Sequence, residues 1–115
     1  MFKTKILTII IVLTLLIGIE PSSFAEKSKT VKVLKNVYTI IDGDGVDSNT
    51  TFIITTEGVI VIDTRPTPTE ARKVLEEIRK LTELPIVYTI NTHYHGGHTF
   101  GNQVFKNSKT IIAHK

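Results

Sequence analysis

No cysteine occurs among the 115 residues. That absence excludes a disulfide framework and a lipid-modified cysteine as a membrane tether. Charge of one sign is also scarce: 14 Lys and Arg stand against 11 Asp and Glu, a formal charge of +3, with no basic cluster to engage nucleic acid. There is no internal repeat and no low-complexity linker. The length allows one small domain and not two. The hydrophobic content of 41% is ordinary for a globular chain, although the N-terminal segment inflates it.

That segment holds the one long apolar run. Lys3 and Lys5 precede Ile6 to Ile19, which is interrupted only by Thr8, Thr14 and Gly18 and is followed by Glu20-Pro-Ser-Ser-Phe-Ala25. A charged start, an apolar centre and a small-residue end are the parts of a secretory signal peptide, with cleavage after Ala25. The run is short for a membrane span. The expectation is a cleaved leader over residues 1–25, a secreted or periplasmic product over 26–115, and no stable membrane anchor after cleavage. Without disulfides, such a product depends on its core or on a bound metal.

Beyond a polar entry from Glu26 to Thr30, Val31 to Leu34 and Val37 to Ile41 carry the alternation and β-branched content of two short strands. Asp42-Gly-Asp-Gly-Val-Asp47 invites a calcium reading. It fails the EF-hand pattern, because Val46 takes the third ligand position and Ile53 the place of the closing glutamate, so it reads as an interstrand loop. Thr51 to Thr55 and Val59 to Asp63 flank Thr56-Glu57-Gly58 as a hairpin with glycine in the left-handed position. Both are nearly continuous apolar runs, which predicts a sheet covered by helices on two faces.

Thr67-Pro68-Thr69-Glu70 is a capping box with proline at the first helical position. Ala71, Val74, Leu75, Ile78 and Leu81 recur at helical spacing, predicting an amphipathic helix that ends near Thr82 with a Glu76–Lys80 pair on its solvated face. Pro85 to Ile90 then reads as a strand, Thr99 to Phe105 as a short helix packing Phe100, Val104 and Phe105 on the sheet, and Lys109 to Ala113 as a last strand. His114 has no partner motif and is expected to face solvent.

Between these lies Asn91-Thr-His-Tyr-His-Gly-Gly-His-Thr-Phe-Gly-Asn102, which holds three of the four histidines. Neutral imidazole is a good zinc ligand. On an extended segment His93 and His95 share a face. Gly96-Gly97, free to take backbone conformations closed to other residues, allows the chain to turn and bring His98 round from another side.

This stretch resembles the His-x-His-x-Asp-His signature of the metallo-β-lactamase fold superfamily, which includes β-lactamases, glyoxalase II-type thioesterases and related hydrolases. Ser48-Asn49, Phe52-Ile-Ile-Thr-Thr-Glu-Gly-Val-Ile-Val-Ile-Asp-Thr64, the helix and Pro85 to Ile90 are similar to the family's first half in order. The resemblance runs from about Val33 to the end. It implies an α/β fold, the N-terminal half of an αββα sandwich with a mixed β-sheet flanked by helices. It also implies zinc, one or two ions in complete relatives, with His93 and His95 matching ligands of the first ion and His98 a ligand of the second. Asp63, behind the histidine loop, is implied to brace it by hydrogen bonds; its alternative role is to begin the turn Asp63-Thr-Arg-Pro66. The loop is closer to members that read Asn-Thr-His-x-His-Gly-Asp-His than to narrow β-lactamases.

Where the motif carries aspartate, this chain has Gly97. The family's remaining ligands lie downstream of the matched stretch. Two readings follow. In one, the chain is a secreted member of the zinc-dependent hydrolases, in which metal-activated water attacks an amide, thioester or similar bond of a small-molecule substrate. In the other it is a non-catalytic fragment, with no catalytic residue of its own, that at most binds metal weakly or docks with a missing second half. Its uncovered sheet edge then invites self-association.

Overall fold

A high content of β-branched residues draws the first half of the chain into four strands, β1 (Lys29–Leu34), β2 (Val37–Ile41), β3 (Thr50–Ile54) and β4 (Val59–Ile62). A helix, α1 (Pro68–Arg79), leads to β5 (Ile86–Ile90). A single helical turn, α2 (Gly96–Thr99), and a 3-10 turn (Asn102–Phe105) then precede β6 (Thr110–Ile112). The computed structural model describes residues 28–43 and 48–115; the leader assigned to residues 1–25 and the middle of the Asp42–Asp47 loop lie outside them. Among the described residues no helix is long and apolar enough to cross a membrane.

The strands form one six-stranded mixed sheet in sequence order. β1 to β4 pair antiparallel, and β4, β5 and β6 pair parallel. An antiparallel pair needs only a short turn, whereas the parallel step from β4 to β5 needs a crossover, which α1 supplies. At the β3–β4 hairpin, Thr55 N donates to Gly58 O at 2.9 Å and Gly58 takes φ 148°, a value open to glycine. This is the α/β, mixed-sheet architecture expected from the sequence.

Register decides which face is core. Phe52 lies opposite Val61 and Ile54 opposite Val59, so these side chains share the face that meets α1. Phe52, Val59, Val61, Ala71, Val74 and Ile78 are fully buried there with Ile40, and Phe105 of the 3-10 turn closes the cluster. Tyr38 stacks on Phe52 with ring centroids 5.1 Å apart. The opposite row, including Ile53, Ile60 and Ile62, is only half-buried. Among the described residues α1 is the one crossover helix and it covers one face of the sheet, whereas the apolar runs predict helices on both.

Local expectations met mixed outcomes. Thr67 Oγ1 accepts from Glu70 N at 3.1 Å, which satisfies one orphan amide of the helix start. The Glu70 carboxylate does not return to the cap; it takes Lys73 Nζ at 2.7 Å and raises the pKa of that lysine, chiefly through the hydrogen bond. Lys80 pairs with Glu77 rather than with Glu76, because the i,i+3 partner lies as near on the helix surface. Phe100 is 65% exposed and does not pack on the sheet; it lies against Gly96, whose missing side chain leaves room for its ring.

Candidate metal-binding loop

β4 and β5 run side by side, with Ile62 opposite Ile90, so the residues that follow them emerge together at the carboxyl ends of parallel strands. Open α/β sheets place their ligand sites there. From β4 comes Asp63, and from β5 the run Asn91 to His98. Asp63 N donates to Ile90 O at 2.8 Å, and Thr50 Oγ1 donates to Asp63 O at 3.0 Å. These two bonds hold Asp63 at φ 63°, in the left-handed region that aspartate tolerates better than most residues.

From that position the Asp63 carboxylate engages the histidine loop at several points. Its Oδ1 accepts from Thr92 N at 2.9 Å. Its Oδ2 accepts from Thr92 Oγ1 at 2.8 Å and lies 2.7 Å from His98 Nδ1. An ionised carboxylate accepts in such a pair, and a neutral imidazole donating to it from Nδ1 would leave the lone pair of Nε2 for a metal. His93 makes a similar contact, with Nδ1 3.0 Å from Thr92 Oγ1.

The three imidazoles form one cluster. The ring of His93 lies 4.9 Å from that of His95 and 4.0 Å from that of His98, centroid to centroid. His93 and His95 are exposed, and His98 is partly covered. The means of turning differs from the expectation: Gly96 and Gly97 begin the helical turn α2 without positive φ, and His98 N donates to His95 O at 2.9 Å. A cavity of about 620 Å³ opens beside His93, lined by Thr92, Tyr94 and Thr99 on one side and by Ala113, His114 and Lys115 on the other. His114 is exposed.

A second set of residues, not assigned a role from sequence, supports the loop from below. Asn91 Nδ2 donates to His98 O at 3.0 Å, and Asn102 Nδ2 donates to Asn91 Oδ1 at 2.8 Å. Thr64 N reaches the same His98 carbonyl at 2.9 Å, and Thr64 Oγ1 donates to Asn102 Oδ1 at 2.8 Å. Gly101 allows this closeness: a Cβ there would fall 1.8 Å from Thr64 O. The sequence signal was the pair of asparagines bounding the histidine stretch, but a polar residue beside a loop has many uses.

The donor chemistry fits zinc, since three imidazoles are clustered and two have their Nδ1 atoms engaged by neighbouring oxygen. The arrangement is incomplete. Among the described residues no group of three or more His, Cys, Asp or Glu side chains is set to hold a metal ion.

Together these residues form a histidine loop at the carboxyl edge of a mixed α/β sheet, braced by an aspartate from the neighbouring strand. Residues 43–114 match the model of the metallo-beta-lactamase superfamily, and the chain belongs to that superfamily. Over 55 residues it is 36% identical to the linear primary-alkylsulfatase of a Pseudomonas species, covering 48% of this chain and 10% of that one. The stereoselective inverting sec-alkylsulfatase from Pseudomonas sp. superposes with a TM-score of 0.60 at 28% identity, over 68% of this chain and 12% of the other. A metallo-beta-lactamase from Pontibacter korlensis shares the fold with a TM-score of 0.65 at 18% identity, over 77% and 44%. The chain thus spans about a tenth of the length of the alkylsulfatases it matches.

Proposed function

We propose that this chain supplies the histidine-bearing wall of a metal-dependent hydrolytic site, with His93, His95 and His98 as metal donors and Asp63 as the residue that orients His98. The observation that carries the reading is the Asp63 carboxylate, which grips Thr92 and His98 together while the three rings cluster above it. A bound zinc ion would supply an activated water and polarise the bond under attack. The chain's own residues do the rest of the work described here: they fix the tautomer of His98, set the ring positions and shape the cavity beside His93. The substrate class we favour is the sulfate ester of an alkyl alcohol, supported by the two alkylsulfatase relatives, ahead of an amide or thioester.

Three imidazoles in this arrangement do not complete a site, so the second part of the proposal is that hydrolysis requires further donors from outside these residues. Gly97 supports it, because glycine brings no carboxylate where the family motif has one. The chain is further read as exported, with residues 1–25 as its leader, on the strength of the Lys3/Lys5 start and the Ile6 to Ile19 run.

The test is a cobalt(II) titration of the chain over residues 26–115, followed by an assay with zinc and a linear primary alkyl sulfate. The expected result is weak, histidine-dependent cobalt absorption and no turnover by this chain alone. Chelator-sensitive hydrolysis by the isolated chain would overturn the half-site reading.

A further inference from the structure

Arg65 is 2% exposed and takes φ 75°, a backbone conformation in which a turn would ordinarily place glycine. A buried guanidinium is costly unless it is matched. Here its Nη1 donates to the backbone carbonyl of Ser48 and lies 4.0 Å from Oδ1 of Asp42, so it reaches both ends of the loop that joins β2 to β3. Its Nε has no hydrogen-bond partner among the described residues. The Ser48 hydroxyl in turn donates to the carbonyl of Gly97, the residue immediately before His98. The Arg65 carbonyl accepts from Gly101 N at 3.0 Å, just beyond α2.

We infer that Arg65 is a positioning residue for the histidine loop: it fixes Ser48, whose hydroxyl holds the Gly97 carbonyl and with it the turn that sets His98 against His95. Asp63 governs the same loop from the β4 side, so the loop is held at Thr92 and His98 by one residue and at Gly97 by another. The functional meaning of this inference rests on the histidines being metal donors; the geometric claim does not.

The experiment is amide hydrogen exchange by NMR on the 115-residue chain and on its S48A, S48T and R65M variants, with the amides of Phe52 and Val61 as internal references for the core. The His98 amide, which donates to His95 O, is expected to exchange about tenfold faster in S48A and R65M, the effect of losing one partly buried hydrogen bond. Phe52 and Val61 should keep their protection, and S48T, which retains the hydroxyl, should behave as the parent chain. An unchanged His98 amide in S48A, or an equal loss across the core amides, overturns the inference. If R65M does not fold, R65K, which keeps the charge without the planar fork, is expected to show the same local effect. Cobalt binding of H93A is measured alongside. Indifference there removes the metal reading and leaves the exchange result to decide the role of Arg65.

Discussion

Asp63 of the β4 exit and His98 of the loop after β5, 35 positions apart in sequence, meet with Oδ2 2.7 Å from Nδ1. The contact exists because β4 and β5 are parallel neighbours that end at the same level. It ties the ring proposed as a metal donor to a strand whose own position is fixed by the core.

D63N is predicted to weaken metal binding by about 10- to 100-fold, the usual effect of removing the partner of a ligating histidine. Asparagine tolerates the left-handed φ of Asp63, so backbone strain is not the variable. Cobalt titration with parallel thermal unfolding checks it; affinity should fall much further than the melting temperature.

Gly101 and Gly97 should answer substitution differently. In G101A the new Cβ would fall 1.8 Å from Thr64 O and 2.7 Å from Ala71 Cβ, so backbone must move, and a loss of about 3 kcal/mol or more is predicted. In G97A the nearest atoms, Cβ and Oγ of Ser48, are 3.9 Å away. The conformation is helical, and the change should be neutral or gain up to about 1 kcal/mol. Urea unfolding of both variants measures the contrast. G97D should likewise fold, yet it should not generate alkyl sulfate hydrolysis, because one carboxylate does not replace the further donors.

I78A is predicted to cost about 2–5 kcal/mol, since Ile78 is fully buried between α1 and the sheet. L81A should cost far less, because Leu81 is 47% exposed beyond the end of the helix. The pair, compared by urea unfolding, tests whether the helical stripe stops where α1 does.

The outer edge of β6 is predicted to self-associate. Ile111 and Ile112 are 44% and 46% exposed, and no strand among the described residues pairs beyond them. Sedimentation should show reversible oligomers for the chain over residues 26–115 that I112K suppresses. A concentration-independent monomer would contradict this.

Much of the framework was legible in the sequence because it depends on local periodicity. The alternation in Val37–Ile41, the spacing of Ala71, Val74 and Ile78, and the order of motifs leading to the superfamily could all be read along the chain. What escaped was set by distance in space. Nothing in the apolar runs of β3 and β4 says that Ile53 and Ile60 lie on a face α1 does not reach. Nothing near Gly96 and Gly97 says that they join a helical turn, whose carbonyls at Gly97 and His98 are held by Ser48, Thr64 and Asn91 from elsewhere in the fold. Arg65 read as part of a turn, and only the folded chain brings its guanidinium under Ser48.

The most direct measurement of the central claim is a zinc titration by calorimetry of the chain over residues 26–115, set against H93A, H95A and H98A. The account predicts weak uptake of one zinc ion that each substitution reduces, most of all H93A, whose ring lies between the other two. Uptake that ignores all three substitutions, or no uptake at all, would contradict it.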